Sequence, residues 1–192
     1  VPAGLTTVTM KAVSLNHHDL WSLRGIGLPA DRLPMTLGCD AAGIDEQGNE
    51  VVVYTVISDA PFGTDETIDE SRSILSEKFP GTFSERFSIP ARNLIAKPTN
   101  WSWAEAACLP TAWLTAYRML AVRSGLRPGN TVLVQGAGGG VATACIALGA
   151  AMGFRVWATS RDEEKRARAR ELGAHEVFES GARLPDRVDA VM

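Results

Sequence analysis

Thr131-Val132-Leu133-Val134-Gln135-Gly136-Ala137-Gly138-Gly139-Gly140-Val141-Ala142 is the stretch that decides the fold. A short apolar run leads into a glycine-rich turn. The turn leads into Val141, Cys145, Leu148 and Met152, which recur at helical spacing. A strand, a tight turn and a helix in that order are what a dinucleotide pyrophosphate needs. The turn requires positive φ, the backbone must come close to the phosphates, and the helix N-terminus supplies amides and a positive dipole end. The small Ala142 lets the helix pack on the strand. The competing reading is a merely tight βα turn.

Downstream the alternation continues. Phe154–Thr159 reads as a second strand and Asp162–Leu172 as a charged helix, with the i,i+4 pairs Asp162/Arg166 and Glu164/Arg168 and a stop at Gly173. His175–Phe178 and Val188–Met192 read as two further strands. Strands alternating with helices predict a parallel, doubly wound α/β sheet. The end of its second strand selects the cofactor. A carboxylate there would bind the ribose hydroxyls of NAD, but this chain has Ser160 and Arg161, with Lys165 four residues on. A hydroxyl and two cations suit the 2′-phosphate of NADP(H), for which arginine offers a planar fork of donors. Asp162 and Glu163 would oppose a phosphate unless they turn away, and Arg161 and Lys165 could also be plain solvated helix residues.

Upstream the first hundred residues are β-rich. Thr7–Leu15, Gly38–Ile44, Val51–Ile57 and Gly81–Ile89 read as strands, and 90–98 leads out of the region. Residues 58–80 carry eight acidic or basic side chains with little periodicity, which predicts an excursion rather than core. At Ser102 the grammar changes. Ser102 and Glu105 form a capping box, Pro110 should break or restart the helix it opens, and Thr111–Val122 continues to a turn at Gly125, Pro128 and Gly129. A boundary at 100/101 follows, with a β domain over 1–100 and a nucleotide-binding domain over 101–192.

Composition narrows the class. Across 192 residues, 45 % are hydrophobic and 21 % charged, as in an ordinary globular protein. A net charge of −3 leaves no surplus for gripping nucleic acid. Three scattered cysteines, Cys39, Cys108 and Cys145, make no disulfide framework and no metal knuckle, so a reducing, cytoplasmic setting is expected. The longest nearly apolar stretch, Val141–Phe154, is shorter than the roughly 18–20 residues of a membrane span, and nothing in the residues from Val1 onward reads as a signal peptide, though a chain that starts at Val1 rather than Met is expected to lack its own beginning.

Several ordered motifs now carry a resemblance. They are Ser14-Leu15-Asn16-His17-His18-Asp19-Leu20-Trp21 and Pro34-Met35-Thr36-Leu37-Gly38-Cys39-Asp40-Ala41-Ala42-Gly43, then Gly81-Thr82-Phe83-Ser84-Glu85. Leu109-Pro110-Thr111-Ala112-Trp113-Leu114-Thr115-Ala116-Tyr117, the glycine turn and Glu171-Leu172-Gly173-Ala174 complete them. With these the chain resembles the medium-chain dehydrogenase/reductase superfamily, most of all its zinc-independent quinone oxidoreductase-like branch and the alcohol dehydrogenase-like relatives. The resemblance implies a partial GroES-like domain followed by the first half of a Rossmann domain, with the active site in a cleft between the two. It also implies a chain incomplete at both ends, lacking part of the nicotinamide pocket and the usual dimer strand; full-length relatives are expected to be homo-oligomers. From that incompleteness weak nucleotide binding and slow or absent turnover are expected, with Val188–Met192 as an open sheet edge.

The same resemblance allows a residue-by-residue test for zinc. The first cysteine ligand of zinc members falls on Asn16, the histidine on Cys39, followed by Asp40, and the distant cysteine near Ala112, between Thr111 and Trp113. Catalytic zinc wants three protein ligands, and only Cys39 could serve. The structural zinc lobe, with its four cysteines, corresponds to Ser58–Pro80, which has none. No zinc is expected at either place.

Without a Lewis acid, the expected reaction is hydride transfer from NADPH to a quinone or an activated alkene or carbonyl. The protein then orients the nicotinamide and supplies hydrogen bonds or a proton. Asn16 can donate to a developing oxyanion or merely tie a loop, and Asp19 reads as structural. His18 takes the place of the proton-relay hydroxyl of zinc relatives, which makes it a candidate proton donor. His17 falls near a position that touches cofactor phosphate in relatives. Thr115 matches a threonine that lies against the nicotinamide there. Trp21, Trp113 and Tyr117 could line an apolar cleft or simply be core. The cofactor-binding candidates are Gly136, Gly138, Gly139, Gly140, Val141, Ser160, Arg161 and Lys165. Two other readings stand beside this one: a non-catalytic or inactive nucleotide-binding member, and a zinc-type alcohol dehydrogenase.

Overall fold

The computed structural model describes residues 4–61 and 64–192. Alternating burial starts the first strand, β1 (Leu5–Ser14), and Asn16 opens the short helix α1 (His17–Leu23). There follow β2 (Asp40–Asp45), β3 (Glu50–Val53), β4 (Val56–Ile57), β5 (Ser73–Ile74), β6 (Arg86–Pro90) and β7 (Leu94–Ala96). Five of these build an antiparallel sheet in the order β6-β1-β2-β3-β7, while β4 and β5 pair apart. A bulge between Met10 and Ala12 interrupts the β1–β2 register, which ends with Ser14 opposite Asp40. Val8, Ala41, Val51, Val53, Leu75, Phe87 and Ile89 are the buried core of this unit.

Three expectations change here. Val51–Ile57 is two strands, because the side chain of Asn93 donates to the carbonyls of Tyr54 (2.9 Å) and Val56 (2.6 Å) and turns the chain out of the sheet. Gly81–Glu85 is not strand. Gly81, Thr82 and Phe83 instead donate to Thr36, Gly38 and Leu37 at 2.7–3.0 Å, an approach so close that a Cβ on Gly81 would stand 2.3 Å from the Gly38 carbonyl oxygen. The 58–80 excursion returns to the core, since Leu75 is fully buried there; Phe62 and Gly63 of this stretch lie outside the described residues.

The capping box forms as expected. Ser102 N donates to Glu105 Oε2 at 2.9 Å and Glu105 N to Ser102 Oγ at 3.3 Å, opening α2 (Trp103–Ala107). Lys97 is buried before it, donating to the Trp101 carbonyl at 2.8 Å and pairing with Glu50 at 3.0 Å. After Cys108 the helix restarts in wide π-helical turns, Leu109–Trp113, which contains Pro110, and Arg118–Arg123, around α3 (Leu114–Tyr117). The chain separates into two compact units, Val1–Thr111 and Ala112–Met192. The change of grammar at 100/101 and the spatial division after Thr111 differ because α2, though helical, packs its Ala106 and Ala107 with Ala42 and Val52 of the antiparallel sheet.

The second unit holds β8 (Thr131–Val134), α4 (Gly140–Ala151), β9 (Arg155–Thr159), α5 (Glu163–Glu171), β10 (Glu176–Phe178) and β11 (Ala190–Val191). All pairings are parallel and the order is β10-β9-β8-β11. Counted from β8 this is 3-2-1-4, the first two-thirds of the six-stranded Rossmann order. Val132, Val134, Val156 and Ala158 pack on Ala144, Cys145 and Ile146 of α4 and on Ala169 of α5.

Candidate functional site

In the second unit the turn after β8 has the positive-φ glycines its sequence predicts. Gly136 (φ +74°) and Gly138 (φ +105°) are left-handed, and Gly139 caps α4. Nothing lies within 4 Å of where a Gly136 Cβ would stand, so the backbone there is open to an incoming group. Ala137 N donates to the Thr159 carbonyl at 2.8 Å, which pins the turn to the end of β9. The next residue, Ser160, is therefore beside the turn. Ser160 is buried, and its Oγ accepts the Asp162 amide at 3.2 Å, leaving the hydroxyl hydrogen to donate elsewhere. Its carbonyl accepts Arg166 Nη1 at 2.6 Å.

Lys165 closes this arrangement. A Cβ on Gly138 would stand 2.7 Å from Lys165 Cδ and 3.2 Å from its Cε, so the lysine stem lies against the turn. Asp162 is the cap of α5, with Oδ1 accepting the Lys165 amide at 3.2 Å. Arg161 is exposed at the same strand end. Val141 lies in the first turn of α4 and packs on the core, and Gly140 faces Ala112. Thr115 is exposed on α3, beside the buried Ala116. Trp113 packs against the core of this unit, whereas Tyr117 is exposed.

The first unit gathers a separate polar cluster. Asp40, wholly buried, accepts Ser14 Oγ (2.9 Å) and Asn16 Nδ2 (2.9 Å) on Oδ2 and Thr111 Oγ1 (2.5 Å) on Oδ1. Burial raises its carboxyl above the ordinary range, with those three hydrogen bonds opposing. Asn16 thus spends one of its two amide hydrogens on Asp40, and its backbone N donates to Asp19 Oδ2 at 2.7 Å. Asp19 has the structural role read from its sequence position, its Oδ1 accepting Gly38 N at 3.2 Å. His18 Nε2 lies 3.1 Å from Ser76 Oγ, which lies 3.7 Å from Cys39 Sγ. Burial pushes the Cys39 thiol up to about 12, so it is protonated at neutral pH. His17 is exposed, as is Trp21, which has Arg24 5.5 Å over its ring. Sequence alone does not mark Asp40 or Ser76 for this cluster: Asp40 shows only as a charged residue heading a small-residue strand, and Ser76 carries no local signal.

The donor set does not suit zinc. Among the described residues no three His, Cys, Asp or Glu side chains come together as a metal-binding group. At the place of interest Asn16 donates to Asp40, and Cys39 Sγ is turned to the Leu75 carbonyl at 3.4 Å.

The alcohol dehydrogenase GroES-like domain family matches residues 2–99, half of the chain. This protein belongs to the medium-chain dehydrogenase/reductase superfamily. Within the superfamily it is 36 % identical over 182 residues to a zinc-type alcohol dehydrogenase-like protein of Schizosaccharomyces pombe, covering 89 % of this chain and 52 % of the relative. It is 34 % identical to an acryloyl-coenzyme A reductase of Metallosphaera sedula (85 % of this chain, 53 % of the relative). Among solved structures, an NAD-dependent alcohol dehydrogenase superposes with a TM-score of 0.84 at 36 % identity, covering 95 % of this chain and 57 % of that one. The quinone oxidoreductase of Thermus thermophilus, solved also with NADPH, gives 0.74 at 30 % identity, covering 93 % and 52 %. The chain spans about half the length of the curated relatives it matches.

Proposed function

We propose that this superfamily member is the part of an NADPH-dependent, zinc-independent oxidoreductase that holds the adenosine half of the cofactor and the start of the substrate site, and that the substrate is a quinone or an activated alkene or carbonyl. The observation that carries the reading is the Lys165 stem laid across Gly138 beside Ser160 and Arg161. NADPH, when bound, supplies a hydride. The chain's own residues would do the rest. Gly136, Gly138, Gly139 and Gly140, with Val141 behind them, offer open backbone and a helix N-terminus to the pyrophosphate. Ser160, Arg161 and Lys165 meet the 2′-phosphate with one hydroxyl and two cations. In the first unit, Asn16 keeps one amide hydrogen for an oxyanion and His18 holds a proton for the reduced substrate. Thr115 is offered as the residue against the nicotinamide.

Relatives named for reducing acryloyl-coenzyme A and quinone support the substrate class. The zinc-type name of another relative favours alcohol oxidation through a metal, but the Asn16 amide bound to Asp40 and the lack of a three-ligand group among the described residues oppose it. No helix among the described residues is long and apolar enough to cross a membrane; a cytoplasmic homo-oligomer without nucleic-acid partners is our reading. Calorimetric titration with NADPH and NADH tests the central claim. Tighter NADPH binding is expected, and equal affinities or tighter NADH would refute it.

A further inference from the structure

We propose that Ser76 is a positioning residue for His18, holding its imidazole in the Nδ1–H tautomer; the consequence for catalysis rests on the reading of His18 as proton donor. His18 is the second residue of α1 and half-buried. Its Nε2 faces two buried hydroxyls, Ser76 Oγ at 3.1 Å and Ser22 Oγ at 3.4 Å. Neutral imidazole has one donor nitrogen and one acceptor nitrogen, whereas a hydroxyl can play either part.

The surroundings decide the direction. Among the described residues, His18 Nε2 is the sole nitrogen or oxygen within hydrogen-bond reach that can accept from the Ser76 hydroxyl; Ser22 Oγ stands farther from the same single lone pair, at 3.4 Å against 3.1 Å. The remaining neighbour of Ser76 Oγ is Cys39 Sγ at 3.7 Å, a poor acceptor. A buried hydroxyl hydrogen left without an acceptor is costly. Donation from Ser76 to Nε2 satisfies it and obliges the ring proton to sit on Nδ1. That nitrogen has no protein partner among the described residues, so its proton is the transferable one.

The backbone of Ser76 gives an independent reason to look for a role. It is the one described non-glycine residue with positive φ, at +67°, and it is wholly buried. Glycine would sit there unstrained, but without a hydroxyl. Its surroundings hold the conformation: Ser76 N donates to the Phe79 carbonyl at 2.9 Å and Leu75 N to the Thr55 carbonyl at 3.2 Å.

The test is ring-nitrogen NMR of the ¹⁵N-labelled whole chain above the imidazole titration range. The chain has three histidines, and His18→Gln assigns the signal. The expected spectrum has a protonated Nδ1 and a bare Nε2 for His18. Ser76→Gly, which suits the backbone and so keeps the fold, combined with Ser22→Ala so that neither hydroxyl faces Nε2, should move the population towards Nε2–H, the tautomer free histidine prefers in water. Ser22→Ala should leave the tautomer as it was. An Nε2–H wild type, a tautomer changed by Ser22→Ala alone, or an unchanged tautomer in the Ser76→Gly/Ser22→Ala variant overturns the proposal. The measurement needs neither cofactor nor turnover. Failure of NADPH binding would therefore refute the proposed function and leave this result standing.

Discussion

Thr111 Oγ1 donates to Asp40 Oδ1 at 2.5 Å, joining residues 71 positions apart around a carboxylate with no solvent exposure. The bond ties the turn after α2 to the head of β2. The other carboxylate oxygen ties the end of β1, through Ser14, to the start of α1, through Asn16. One side chain thus anchors four points of the chain next to the candidate oxyanion donor.

Removing that anchor should be costly in a pH-dependent way. Asp40→Ala leaves three donors unpaired in a buried site, and a loss of about 2–4 kcal/mol is expected in urea unfolding. Asp40→Asn keeps the shape without the charge. Burial raises the folded-state pKa of Asp40 above its unfolded value. The stability the carboxyl contributes is then full below the ordinary carboxylate range and is lost as pH rises through the folded pKa. The stability difference between wild type and Asp40→Asn should accordingly shift in favour of the variant as pH is raised from about 3 to about 7. A difference independent of pH would contradict the assignment.

The two left-handed glycines of the turn should respond differently to alanine. At Gly136 a Cβ meets nothing in the protein, so Gly136→Ala should cost about 1–2 kcal/mol of stability from φ alone while abolishing dinucleotide binding. At Gly138 the Cβ also meets Lys165 Cδ at 2.7 Å, so Gly138→Ala should destabilise more and displace the lysine. Thermal unfolding paired with cofactor titration separates the two. Unimpaired binding in Gly136→Ala would mean that the open backbone is not the phosphate site.

Cofactor choice should reside in two cations. Arg161→Ala and Lys165→Ala are each expected to weaken NADPH by about 10- to 100-fold, the scale of a charge-assisted hydrogen bond, and NADH by much less. Lys165→Met keeps the stem over Gly138 and removes the charge, so it should reproduce the NADPH loss without loss of stability. Competitive fluorescence titration reads all three. Equal losses for both cofactors would place these residues outside the 2′-phosphate site.

Metal analysis of purified protein should find well under one zinc per chain, and prolonged treatment with a strong chelator should leave NADPH binding unchanged. Cys39→Ser should likewise leave metal content unchanged, because its Sγ is turned to the Leu75 carbonyl and belongs to no three-ligand group among the described residues. One tightly held zinc per chain, lost in Cys39→Ser, would restore the alcohol dehydrogenase reading.

The division between what sequence and tertiary structure each decide follows chain distance. Sequence by itself determined the parallel half-sheet, the glycine turn and the Ser102–Glu105 capping box. In each, the deciding contacts lie within a few residues, where a period, a cap or a positive-φ requirement leaves a pattern. Tertiary structure alone decided the break at Tyr54–Thr55, made by Asn93 from nearly forty positions away, and the return of Leu75 to the core. It alone laid Lys165 across Gly138, an encounter that β9 and α5 arrange in space. It alone made Asp40 an anchor and gave Ser76 a left-handed backbone, because a burial partner and a φ angle both come from neighbours remote in sequence, which no local periodicity encodes.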